Sequence, residues 1–143
     1  MGFSIAGAFA VIGVTLFIAL DVFLAGMMPA VSDVNYGFHE MKDRAVFQKQ
    51  TNISITSIST VANDSNYDLK INVSNEGSTT LKTIDFNILI NGTNYLFNRS
   101  KQFLYPEKFV NFTVPSLSGT GNRILKIITP VGVSDYENYT ISV

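Results

Sequence analysis

The spacing of hydrophobic positions changes twice along the chain. Residues 1–32 (MGFSIAGAFAVIGVTLFIALDVFLAGMMPAVS) are almost continuously apolar, with Asp21 as their one ionisable side chain. A bilayer core about 30 Å thick needs about 20 such residues at the helical rise, so this stretch predicts a transmembrane helix. Residues 33–50 then turn amphipathic. Met27, Val31, Val34, Phe38, Met41 and Ala45 follow one another at alternating intervals of four and three, the spacing of a heptad seam. One helix running from the membrane to about Lys49 is the economical expectation. At about 1.5 Å per residue its outer part would be a stalk about 25 Å long.

From Thr51 onward the period becomes two, with turn signals about every ten residues. Strands are expected at 52–61, 67–73, 81–90, 93–97, 110–114, 123–129 and 137–143. Asn63 to Asn66 form a turn cluster, and 116–122 reads as a loop. In the third strand Ile84, Phe86, Ile88 and Ile90 should share one face. Asn91 followed by Gly92 is a strong hairpin signal, because both central residues of a type I′ turn need positive φ. The expected fold is mainly β with an N-terminal helix: a single transmembrane helix (1–32), an amphipathic helical stalk (33–50) and an immunoglobulin-like antiparallel β-sandwich (51–143).

The apolar run is too long for a secretory signal, and no Lys or Arg precedes Lys42. A signal peptide has a basic start and a short apolar core, and prepilin-type leaders are also basic. A retained anchor is therefore expected, with Met1 or Gly2 kept in the working protein. Asp21 costs about 2.5 kcal/mol or more deep in a span. It is either an interfacial residue or a contact to another subunit or proton path. The seam likewise has more than one reading: association with other helices, packing on the chain's own downstream domain, or a stiff spacer.

Composition removes several functions. Cysteine is absent, so neither disulfides nor thiolate chemistry operates. A formal net charge of −1 gives no field to gather nucleic acid. His39 is the sole histidine and lies in the polar part of the stalk, so Ser-His or Cys-His catalysis lacks its base. The sandwich carboxylates Asp64, Asp68, Glu76, Asp85, Glu107, Asp135 and Glu137 are scattered over turns and polar faces. Asp135 and Glu137 fall far short of a calcium cage. The expectation is no enzyme, no cofactor and no metal.

The abundant motif is Asn-x-Ser/Thr, at Asn52, Asn63, Asn72, Asn91, Asn98, Asn111 and Asn138. Each is an acceptor pattern for N-glycosylation, against roughly three expected by chance in a domain so rich in Ser and Thr. Strand alternation should turn Asn72, Asn111 and Asn138 outward. Glycans require an extracytoplasmic domain, whereas Lys42 and Arg44 after the span argue for the cytoplasm by the positive-inside rule. They lie at the edge of its counting range. The expected topology is therefore N-terminus inside and sandwich outside.

The uncharged start MGFSIAGAFAVIGVTLFIA, the single helix and the sandwich segments INVSNEGSTTL, NILINGTNYL and IITPVGVSDYENYTI together resemble the archaeal flagella-related F proteins of the archaellum motor, which are related to the flagella-related G proteins and to archaellins. The resemblance covers the whole chain in layout. It implies a membrane-anchored stator component that braces the motor against the surface layer. Implied partners are archaellum motor and filament proteins, the G protein, the S-layer protein and further copies of the chain. Two alternatives remain: a filament subunit of archaellin or type IV pilin type, and a single-pass surface adhesin. The adhesin reading would use Tyr95, Phe97, Phe103, Leu104 and Tyr105 as a recognition patch.

Overall fold

A computed structural model describes residues 2–141, with the side chains of residues 2 and 3 left aside. Met1, and the last two residues of the strand expected at 137–143, lie outside the described residues. A single helix α1 runs Gly2–Gln50. It continues through Pro29, whose ring removes one backbone donor. Nearly every apolar side chain on it is exposed, from Ile5 to Phe47. Thr15 satisfies its hydroxyl internally, donating to the carbonyls of Val11 and Ile12 at 3.0 and 2.9 Å, as a polar group in an apolar run must. The helix is long and apolar enough to cross a membrane.

The chain divides into two compact units between Asp43 and Arg44. The second unit contains the last two turns of α1 and all the strands: β1 Ile53–Asn63, β2 Asn66–Asn75, β3 Leu81–Lys82, β4 Asn87–Ile90, β5 Thr93–Tyr95, β6 Asn98–Arg99, β7 Phe103–Leu104, β8 Phe109–Leu117, β9 Gly121–Ile128 and β10 Ser134–Ile141. They form one sheet in the order β1-β2-β8-β6, a second in the order β10-β9-β4-β5, and a short β3-β7 pair. Every pairing is antiparallel.

Alternation along β2 and β8 drives the packing. Tyr67, Leu69, Ile71 and Val73 on β2, with Val110, Phe112 and Val114 on β8, point inward against Ile88, Ile90, Leu125 and Ile127 of the other sheet. The result is one apolar core between two sheets, a β-sandwich. Phe112 sits at its centre, with Phe86 tilted against it at 5.4 Å and Phe97 edge-on at 5.1 Å.

Ten strands stand among the described residues, not seven. The expected third strand, 81–90, is broken: β3 pairs with β7, residues Thr83–Asp85 form a 3-10 turn, and β4 joins the second sheet. The cause is a change in which positions are buried. Leu81 and Thr83 are inward, then Phe86, Ile88 and Ile90, so odd positions give way to even ones and Ile84 is left exposed. A continuous strand cannot change parity. Thr83 stabilises the break, its hydroxyl donating to the carbonyls of Lys101 and Gln102 at 2.6 and 3.0 Å. The expected loop at 116–122 is also shorter, since β8 extends to Leu117 and β9 begins at Gly121. At the Asn91-Gly92 hairpin the φ angles are +50° and +83°, as a type I′ turn requires.

Candidate functional site

A polar cluster joins the end of α1 to the sandwich. Thr51 donates its backbone N–H to Gln48, and its hydroxyl lies 2.8 Å from the Phe47 carbonyl and 2.9 Å from the hydroxyl of Thr79. The β2-β3 loop closes over this helix end. Ser78 N–H donates to the Gln50 carbonyl at 2.9 Å, and the N–H groups of Glu76 and Gly77 both donate to Asn52. The last carbonyls of a helix lack intrahelical partners; here Thr51 bonds those of Phe47 and Gln48, and the β2-β3 loop bonds that of Gln50.

Asn75 organises that loop. It is 1% exposed. Its Nδ2 donates to the carbonyls of Thr79 at 2.7 Å and Leu104 at 3.2 Å, while its Oδ1 accepts from Gly77 N–H at 3.0 Å. Its backbone bonds Lys108 and Glu107. One buried residue thus ties the β2-β3 loop to the end of β7 through its amide and to the β7-β8 loop through its backbone. At Gly77 an added Cβ would run into the Gln50 carbonyl and come within 2.5 Å of the Asn52 nitrogen, so the loop can reach the helix end only without a side chain. Asn75, Gly77 and Thr79 all fall in the stretch INVSNEGSTTL, where alternation marked Asn75 and Gly77 only as the end of a strand.

Two aspartates that read as ordinary surface acids close bulges. A bulge leaves a ladder donor unpaired. In β1 the register slips between Ile55 and Ser57, and Ile55 N–H donates to Asp135 Oδ2 at 2.8 Å, linking β10 to β1. Between β2 and β8 it slips beside Asp68, whose Oδ1 accepts from Ser116 N–H at 2.9 Å. Among the described residues no three His, Asp or Glu side chains gather as metal ligands, and His39 is exposed.

Asp21 lies exposed on α1, beside Phe17, Ile18, Leu20 and Leu24, which line a shallow hollow with it. Met27, Val31, Val34, Phe38, Met41 and Ala45 are all exposed as well. The suggested aromatic patch does not assemble as one surface. Leu104 is fully buried, Tyr95 and Phe97 pack against the core, and Tyr105 is exposed with Phe103 tilted beside it at 6.3 Å. An exposed ring that was not anticipated is Phe109, with Lys101 Nζ 4.8 Å above it.

The acceptor-pattern asparagines differ in setting. Asn52, Asn63, Asn91, Asn98, Asn111 and Asn138 are exposed, whereas Asn72, on the outer face between the inward Ile71 and Val73, is half-buried. Asn72 is hemmed in between Ser57 on β1 and Asn111 on β8. Its Oδ1 is enclosed and has no hydrogen-bond partner. Asn52 Nδ2 is 3.3 Å from Glu76 Oε2, and Asn63 Nδ2 is 3.4 Å from Asp68 Oδ1. Across the sandwich the hydroxyls of Tyr67 and Tyr139 meet at 3.4 Å. Burial first, and then this contact, pushes the Tyr139 phenol above its ordinary range.

No protein-family profile matches the chain, and no curated protein matches its sequence. Among solved structures, the archaellum periplasmic stator protein FlaG from Sulfolobus acidocaldarius is similar in fold, with a TM-score of 0.51 at 18% identity over 62% of this chain and 99% of that one.

Proposed function

We propose that this chain is a membrane-anchored structural strut of the archaellum motor, a stator component of the flagella-related F type, with no catalytic role. The observation that carries the reading is the clamped junction: a long apolar helix whose last turn is hydrogen-bonded into a small sandwich. The chain in turn is similar in fold, over 62% of its length, to an archaellum periplasmic stator protein. Torque from a membrane motor has to be reacted against something fixed, and a head that holds the end of its own membrane helix suits that task.

In this reading residues 1–32 span the membrane, 33–50 form the stalk, and 51–143 form an immunoglobulin-like head outside the cell, beneath and against the surface layer. The exposed apolar residues support helix partners beyond the lipid. A helix of 49 residues is about 74 Å long, more than twice the hydrocarbon thickness, yet Val34, Phe38 and Met41 past the span stay exposed. Helices of further copies, or of a G-type protein, would cover that seam.

The same exposed helix also suits a filament subunit, whose helix would pack in a filament core. Shearing the appendages from cells and locating the chain by mass spectrometry separates the two. A strut stays in the membrane fraction, and deletion abolishes motility while filaments still assemble. Abundance in the sheared filaments would sink the stator reading.

A further inference from the structure

Two acceptor-pattern asparagines flank one exposed apolar residue on the outer face of the second sheet. Ile124 on β9 is 55% exposed. On one side it pairs with Asn138 of β10. On the other, the ladder between β9 and β4 ends at the Ile90–Leu125 pair, and the next residue, Asn91, bonds Ile124 twice. Asn91 N–H donates to the Ile124 carbonyl at 2.9 Å, and Ile124 N–H donates to Asn91 Oδ1 at 2.9 Å. Asn138, Ile124 and Asn91 therefore form one row across the sheet.

We propose that Asn91 and Asn138 are both N-glycosylated and that their innermost sugars cover Ile124. The inference rests on the exterior placement of the sandwich argued above. In each case the amide Nδ2 would attack the anomeric carbon of a lipid-linked oligosaccharide. The new N–C bond forms as the sugar–phosphate C–O bond breaks. The nitrogen loses a proton to the transferase, and the lipid phosphate leaves with the bonding pair.

Three features of the fold favour this pair. At Asn91 the Oδ1 is held by Ile124 N–H, which fixes the amide at an exposed hairpin turn while leaving Nδ2, the atom that takes the sugar, outside that bond. Asn138 is exposed on β10, at the edge of its sheet. The two asparagines are separated by two strand spacings, about 10 Å, room for two glycans with the isoleucine between them. The other sheet is less accommodating. Asn72 stands directly opposite Asn111, where side chains are about 5 Å apart, and its amide oxygen is enclosed.

The test is glycopeptide mass spectrometry on the full chain made in archaeal cells that possess N-glycosylation. Thr93→Ala and Thr140→Ala remove the acceptor hydroxyls while keeping both asparagines, and Thr93→Ser and Thr140→Ser preserve the pattern. The expected result is sugar on both peptides, one glycan lost with each alanine variant, two with the double variant, and none with the serine variants. Either asparagine unmodified, or Asn72 occupied as fully as the pair, overturns the proposal. External protease on cells stripped of their surface layer separates the causes of failure. A sandwich that is cut but carries no sugar refutes the glycans and leaves the strut standing, whereas a protected sandwich refutes the exterior placement and with it both readings.

Discussion

Replacing Asn75 with Ala is the sharpest test of the junction. The side chain is 1% exposed and makes three hydrogen bonds to backbone groups, two as donor and one as acceptor. Alanine leaves the Thr79 and Leu104 carbonyls without that partner, while the Gly77 N–H keeps its bond to the Asn52 carbonyl. Each buried group left unsatisfied costs about 1–3 kcal/mol. Relaxation and water entry recover part of this, so the expected loss is about 3–4 kcal/mol, at the upper end of single substitutions. For a unit of about 100 residues, 1 kcal/mol moves Tm by about 4–8 °C, so Tm should fall by more than 10 °C. The assay is thermal unfolding of the detergent-solubilised full chain followed by tyrosine fluorescence, which reports mainly on the head because five of the six tyrosines lie there and one, Tyr36, on the helix. Exposed Asn122→Ala, which loses a contact from Thr140, serves as control and should stay within about 1 kcal/mol. A loss below 1 kcal/mol for Asn75→Ala would show that the loop network is not what joins the helix end to the sandwich.

Other expectations follow from the same contacts. Gly77→Ala drives a methyl group against the Gln50 carbonyl and the Asn52 nitrogen, and backbone atoms cannot swing aside; a loss of about 2–3 kcal/mol is expected, with faster hydrogen exchange at Ser78 and Gly77, and unchanged exchange would refute the close approach. Asp135→Ala removes the acceptor for Ile55 N–H, costing about 1.5–3 kcal/mol for a bond to a charged group and raising exchange at Ile55 most, as NMR can verify. Tyr139 makes stability depend on alkaline pH. Its folded pKa is raised, by burial and then by Tyr67, so the native state keeps a proton that the unfolded chain releases above about pH 10. The stabilisation is complete below that pH and is lost as pH rises beyond it. Denaturant midpoints from pH 8 to 11 should fall for the parent chain and fall less for Tyr139→Phe; identical slopes would count against the assignment.

The long helix and the β-sandwich were legible because each rests on a local repeat. A continuous apolar run, a four-three spacing and a strict two-residue alternation are visible without any knowledge of partners, and Asn91-Gly92 declares its turn by its own φ requirements. The break in the strand expected at 81–90 was less visible, since Ile84, Phe86, Ile88 and Ile90 alternate faultlessly on paper. Only Thr83, buried and bonded to Lys101 and Gln102 eighteen and nineteen residues away, reverses which face is inward. Asn72 lies on the outer face, as alternation between the buried Ile71 and Val73 requires, but only the assembled sheet shows that its neighbours across β1 and β8 enclose its amide oxygen.

By itself the sequence determined where the chain is apolar, where it is helical and where it alternates, because these are properties of neighbours a few residues apart. The tertiary structure decided which polar residues bear on the fold. Asn75, Asp68 and Asp135 look like any other turn or surface side chain until strands and loops distant in sequence present them with unpaired N–H and C=O groups. Buried backbone groups must be paired, and the donors and acceptors in question arise only once bulges, loops and the helix end have been brought together in space.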